Sequence, residues 1–482
     1  MSFLNNVKWV SISQCVKVIC QLFGLVVFAR YLTPQDIGLM SLTLVVVNFV
    51  NILRDMGSSA AIIQKDEIDE KIKSSVFIMN MVLGFALAIV FYTSAHYIAV
   101  FFGHDKLEYT IKLITLSFIF NSITSVHLAI LERDSKFKKI AFIESISSIS
   151  SLAIGIFFAA NNYGVYSLVS QTLSFSILTA ISFYISSGWK PCLSFNLDNI
   201  KAIYKFSSNL VFFNFINYFS RNSDQLIIGK FFSTSILGEY SLAYKVMLFP
   251  LQNITSVLTR SLYPILSRLQ SSPRDSFITY LKTIKAISLI VPAMMLGLSA
   301  VSNEFVTLLF GHQWNILPQL LTWLSIVGIL QAMVSSTGSV FMSRGRTDLL
   351  LYISIFNAAL QVGSFIIGAF YNIETLVRLY LLANVIMFFP NMFMAIRILS
   401  GSIMELIMGV YKPFICSIIM FFMIILVGWT LSTFNLSLLS LFIAKVSTGL
   451  TVYIVLIITT DPVLFNMLRV RFLSKIIHFK TK

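Results

Sequence analysis

Four residues recur along one early apolar stretch: Gln14, Lys17, Gln21 and the small Gly24, spaced by three, four and three. That spacing puts them on one face of a helix. Two hundred residues later, Asn214, Asn217, Arg221 and Asp224 repeat the face at the same register. Polar and charged groups cost several kcal/mol at membrane depth, so they must face a cavity or one another. The two faces predict a central, wet, net-cationic space. Lys245 either joins it or snorkels outward. Arg54 and Arg260 end equivalent segments, either as a cationic ring at a cytoplasmic mouth or as ordinary topology anchors.

This is the chemistry of binding rather than bond making. The chain has no G-x-x-x-x-G-K-[ST], H-E-x-x-H or G-x-S-x-G motif. Its five histidines do not pair at metal-ligand spacing. Cys15, Cys20, Cys192 and Cys416 form neither a C-x-x-C pair nor a disulfide framework. No metal, cofactor or enzymatic activity is expected. Bland readings stand beside the functional ones. Arg221 and Asp224, three apart, either neutralise each other or serve substrate or a coupling ion. Lys17 either faces the cavity or snorkels to an interface. Glu144 is expected to cap its helix or pair with the basic loop before it. Lys445 is expected to serve packing or an interface.

The elements that position these residues follow from composition. Of 482 residues, 57% are hydrophobic and 11% charged, with a mean hydropathy of +0.85. Soluble chains carry about 25% charge, so lipid must solvate much of this one. Fourteen apolar segments are marked out: 9–29, 37–54, 75–101, 111–131, 140–160, 165–186, 206–229, 237–259, 286–302, 316–342, 349–370, 375–396, 413–431 and 436–459. The first stretch carries Lys17 and no cleavage pattern, so it reads as a retained helix. The net charge of +15 sits in alternate loops, which favours topology over nucleic-acid binding. With the N-terminus inside, 26 of the 35 Lys and Arg fall on the inner side. Only Arg30, Lys106, Lys112, Lys230 and Arg378 fall outside. Both termini are therefore placed in the cytoplasm.

The chain also echoes itself. ARYLTPQDIGLMSL at 29–42 aligns with GKFFSTSILGEYSL at 229–242, matching Gly38 to Gly238, Ser41 to Ser241 and Leu42 to Leu242. Phe102-Gly103-His104 returns as Phe310-Gly311-His312. Six spans separate equivalent points, so the repeats run parallel, related by a pseudo-two-fold along the membrane normal. The expected fold is an all-α polytopic membrane protein of about fourteen transmembrane helices. It comprises an N-lobe over 1–190, a C-lobe over 191–400, and helices 13–14 with a basic tail over 401–482. The two six-helix lobes enclose the central cavity, and alternating access by rocking follows from such an arrangement.

The run R-N-x-D-x-L-I-I-G-K-F at 221–231, L-G-x-Y-x-L-A-Y at 237–244 and P-x-L-S-R-L-Q at 264–270 resembles the Wzx-type polysaccharide flippases of the MOP exporter superfamily. So do F-A-R-Y-L-T-P-Q-D-I-G at 28–38, D-M-G-S-S-A-A-I-I-Q at 55–64 and L-E-R-D-S-K-F-K-K at 131–139. The pattern is most similar to exporters of colanic-acid and teichuronic-acid type. The resemblance implies an undecaprenyl-diphosphate-linked oligosaccharide, moved across a bacterial inner membrane for surface polysaccharide such as O-antigen, capsule or exopolysaccharide. It implies membrane lipid, a polymerase and a chain-length regulator as partners. It also implies ion coupling, by H+ or Na+, with Asp224 the best-placed acid. A cationic cavity suits a diphosphate. A peptidoglycan-precursor flippase and a cation-coupled multidrug antiporter of the same superfamily are the alternatives. The antiporter should carry an acid-rich cavity instead.

Overall fold

The computed structural model describes residues 3–55, 62, 70–192, 218–434 and 436–460. It is helical, with no strand among the described residues. Contacts divide the chain into two compact units, Met1–Ser241 and Leu242–Lys482. The first holds α1 (Phe3–Tyr31), α2 (Pro34–Asp55), α3 (Glu70–Phe102), α4 (Asp105–Ile114), α5 (Leu116–Arg133), α6 (Phe137–Ala160), α7 (Tyr166–Ser187) and α8 (Ser223–Phe231). Helix α9 (Thr234–Pro250) runs across the boundary. The second holds a π-helical turn at Leu251–Thr255, then α10 (Ser256–Arg268), α11 (Pro273–Ala300), α12 (Ser302–Leu309) and α13 (Leu317–Val334). It continues through α14 (Thr337–Ser343), α15 (Thr347–Ala369), α16 (Ile373–Ile398), α17 (Ile403–Leu431) and α18 (Leu438–Thr460).

Among the described residues, twelve helices are long and apolar enough to cross a membrane. The expected seventh and eighth segments are not among them. The first half of the seventh, 206–217 of 206–229, lies outside the described residues. In the eighth, Pro250 has no N–H to donate, and a π turn carries the chain on to α10. Several helices outrun their apolar segments: α1 begins at Phe3, α11 at Pro273 and α17 at Ile403. Hydropathy marks where lipid would begin, whereas the helix starts at its cap.

Local sequence explains the helix starts. Thr33 and Asp36 form a reciprocal capping box ahead of α2. The Thr33 Oγ1 hydroxyl donates to Asp36 Oδ2 at 2.7 Å, and Asp36 N–H donates back to Thr33 Oγ1 at 3.3 Å. Pro34 holds the first helical position. Asp36 Oδ1 also accepts from Val165 N–H at 3.1 Å, tying this start to α7. The echo at 233 keeps half of the box: Ser233 Oγ accepts from Ile236 N–H at 3.3 Å.

The two echoed helix starts meet. A Cβ on Gly38 would lie 1.8 Å from the Thr234 carbonyl oxygen. A Cβ on Gly238 would lie 1.8 Å from the Pro34 carbonyl oxygen. Only glycine permits this crossing, and the contact is reciprocal, as a two-fold requires. The second echo is a helix stop: Gly103 and Gly311 both adopt left-handed φ, +74° and +101°.

Two arginines, one in each unit, fasten loops. In the first unit Arg133 Nη1 donates to the Ile62 carbonyl at 2.8 Å. In the second, Arg344 Nη1 donates to the Gln270 carbonyl at 2.5 Å and Nη2 to Ser276 Oγ at 3.0 Å. Gln270 Nε2 returns a bond to the Ser343 carbonyl at 2.6 Å.

Candidate functional site

Helices α1, α6 and α7 pack together in the first unit because small residues sit where they cross. A Cβ on Gly24 would lie 2.9 Å from Leu152 of α6. One on Gly155 would lie 2.9 Å from both Phe28 of α1 and Gln171 of α7. Close backbones of this kind bring polar side chains on neighbouring helices within reach.

Ser13, Lys17 and Gln21 lie four residues apart on α1, and Glu144, Ser148 and Ser151 lie four and three apart on α6. Each set forms one helical face. The Lys17 ammonium sits 2.7 Å from Glu144 Oε2, and the Ser13 hydroxyl donates to the same oxygen at 2.5 Å. Both charged side chains are partly accessible, at 35% and 21%. Such a pair is weakly stabilising and open to exchange.

One turn further along, a cleft of about 320 Å³ opens, lined by Lys17, Cys20, Gln21, Ser148, Ser151, Gln171, Thr172 and Phe175. Its lining offers one ammonium, two amides and three hydroxyls, with no carboxylate. At 1.5 Å per residue it spans roughly 7–21 Å from the helix ends at Tyr31, Ala160 and Tyr166. Hydroxyls and amides both donate and accept hydrogen bonds, which matches sugar hydroxyls, and an ammonium matches phosphate.

The predicted site residues fall in several places. Lys17 and Gln21 line the cleft. Gln14 is exposed and outside that lining; Ser13 takes its place on the face toward α6. Gly24 is a packing residue. Glu144 reaches across to α1 rather than back to its preceding loop. Asn214 and Asn217 lie outside the described residues.

Arg221 and Asp224 do not neutralise each other, because Asn222 breaks the helix between them. Arg221 is exposed, whereas Asp224 is 1% exposed. Its carboxylate accepts from the fully buried Tyr240 hydroxyl at 2.9 Å and from Gln225 N–H at 2.7 Å. Lys245 is accessible on α9, and Arg54 is half-buried in the last turn of α2. Arg260 does not end its helix as expected: α10 continues to Arg268 because Leu262 and Leu266 bury one side of that amphipathic stretch. Lys445 bonds to Glu304 at 2.5 Å, in a slot that Gly428 leaves open.

Ser148, Ser151, Gln171 and Thr172 were missed in the sequence reading. Their signal is the serine-rich E-S-I-S-S-I-S-S at 144–151, unusual inside an apolar span. Among the described residues, no group of three or more His, Cys, Asp or Glu gathers as a metal site.

A bundle of this kind, with polar residues on facing helices of an apolar framework, defines a multi-pass membrane transporter fold. It matches the solved structure of the lipid II flippase MurJ, inward closed, with a TM-score of 0.76 at 18% identity over 94% of this chain and 99% of that one. An inward-facing MATE multidrug transporter matches with a TM-score of 0.60 at 14% identity, over 82% and 99%. The chain belongs to the polysaccharide biosynthesis protein family, whose profile matches residues 27–318. It is 27% identical to the teichuronic acid biosynthesis protein TuaB of Bacillus subtilis over 95% of this chain and 96% of that one. It is 24% identical to the lipopolysaccharide biosynthesis protein WzxC of Escherichia coli, over 86% and 85%.

Proposed function

We propose that this protein is a flippase that carries a polyprenyl-diphosphate-linked oligosaccharide from the cytoplasmic to the outer leaflet of the bacterial inner membrane, for assembly of surface polysaccharide. The observation that carries the proposal is the cleft between α1, α6 and α7: one ammonium among neutral hydroxyls and amides, set inside an apolar bundle. An oligosaccharide presents hydroxyls and a diphosphate presents negative charge, while the prenyl chain is soluble in lipid. The names of the relatives support the pathway, since one is a succinoglycan biosynthesis transport protein and another a probable glycan biosynthesis flippase. An antiporter for organic cations would need acid in its cleft, and this lining has none. Both termini lie in the cytoplasm on the loop-charge pattern. A polymerase and a chain-length regulator are the partners such a pathway requires.

Ion coupling by H+ or Na+ is part of the proposal, with Asp224 as the coupling acid. A carboxylate with a tyrosine hydroxyl as its buried side-chain partner, and with no cation in ion-pair contact among the described residues, is suited to gaining and losing a proton. Asp224→Asn should reduce flipping at least tenfold, with Arg221→Ala as the control. Unchanged flipping in Asp224→Asn removes that residue from the mechanism.

Deletion and complementation test the function itself. Loss of surface polymer, with lipid-linked units accumulating on the inner leaflet, is the expected outcome. Normal polymer together with altered drug sensitivity would overturn the proposal.

A further inference from the structure

The Lys17–Glu144 pair sits at the edge of the cleft, and only its lysine lines it. One carboxylate oxygen, Glu144 Oε2, accepts from both the Lys17 ammonium and the Ser13 hydroxyl. An ammonium and a hydroxyl converging on one anionic oxygen is the arrangement a non-bridging phosphate oxygen also takes. Lysine is a point charge on a flexible four-carbon stem, so its ammonium can leave one oxygen for another without moving the helix.

We propose that Glu144 is an internal counter-ion: it holds the anion position of Lys17 in the unloaded protein and is displaced when an anionic phosphate group enters the cleft. The inference rests on the reading of the substrate as a diphosphate.

The surroundings make the exchange specific. Helix α6 packs against α1, α5 and α7. Charged side chains on these are Lys8, Lys17 and Arg30 of α1 and Glu132 and Arg133 of α5; α7 has none. Of all these, Lys17 is the one within ion-pair distance of Glu144. Displacement therefore takes from Glu144 the cation paired with it. Lys17 then pairs with the phosphate oxygen, and Glu144 keeps the Ser13 hydroxyl as its donor.

The test is isothermal titration of the purified full-length protein with inorganic pyrophosphate, repeated with a short polyprenyl diphosphate. The wild type should bind, and Glu144→Gln should bind about tenfold more tightly. Lys17→Gln should lose binding. Ser13→Ala, which removes one of the two bonds to Oε2, should strengthen binding by a smaller factor and serves if Glu144→Gln fails to fold.

Glu144→Gln and Ser13→Ala binding no better than wild type, with Lys17→Gln still defective, would overturn the counter-ion while leaving diphosphate recognition standing. Absence of binding in wild type and all variants would overturn both. Complementation by the wild type is read separately and would keep the flipping reading intact.

Discussion

Replacing Gly38 by alanine perturbs the crossing of the Pro34 and Thr234 helix starts without touching a charge. The added methyl would sit 1.8 Å from the Thr234 carbonyl oxygen and 2.8 Å from its carbon, both backbone atoms that no rotamer change can move. Reaching 3.0 Å, the least separation that real Cβ atoms show, forces the two backbones apart by about 1.2 Å. Overpacking of this kind costs about 1–3 kcal/mol, and backbone on both sides of the clash places the effect at the upper end. Alanine favours the helix by about 1 kcal/mol over glycine, so a net loss of roughly 2 kcal/mol is expected. The assay is thermal unfolding of purified protein in detergent, with a fall of several degrees expected. Gly363→Ala is the control, because a Cβ there meets nothing within 4 Å. It should be neutral or mildly stabilising. Gly238→Ala should match Gly38→Ala, and the double variant should fall well short of additive, since both methyls break one contact. Equal melting temperatures for Gly38→Ala and Gly363→Ala would refute the crossing.

Two further predictions concern the second unit. Lys445→Met strands Glu304, whose side chain is 8% exposed, and should cost about 3–5 kcal/mol. The Glu304→Leu, Lys445→Met double variant should recover most of that loss in the same melting assay. Arg344→Ala removes the donor to the Gln270 carbonyl and Ser276 and should cost about 2 kcal/mol. Hydrogen exchange over residues 269–276 should accelerate, and Arg344→Lys should restore only part of the protection, because an ammonium lacks the two-pronged fork.

The membrane-spanning frame was legible because it rests on sums over many residues. Twelve helices match segments read from hydropathy. The site was less legible because it depends on side chains brought together from helices far apart in sequence. Lys17 and Gln21 stood out as polar residues in an apolar run. Nothing local to Glu144 says that its partner lies on α1, 127 positions away; a basic loop stood next to it and was the nearer candidate. Ser148 and Ser151 gain a role only where Gln171 and Thr172 of α7 line the same cleft. For Arg221 and Asp224 the spacing of three left mutual pairing as one of two readings. That inference assumes an unbroken helix, and Asn222 interrupts it.

The echo is densest where the geometry is reciprocal. Gly38 meets Thr234, and Gly238 meets Pro34, so each copy of the motif supplies the surface that the other packs against. A self-complementary contact constrains both copies at once: a side chain added to either glycine strikes the other helix start. The cleft carries no such constraint. Its lining comes from α1, α6 and α7, and nothing in its geometry requires the equivalent positions of the second copy to match. Position 221 holds an arginine where position 21 holds a glutamine, and position 217 an asparagine where position 17 holds the lysine. Internal repetition in this chain therefore marks the reciprocal contact between helix starts, and the departures from it mark where binding chemistry is free to differ between the two copies.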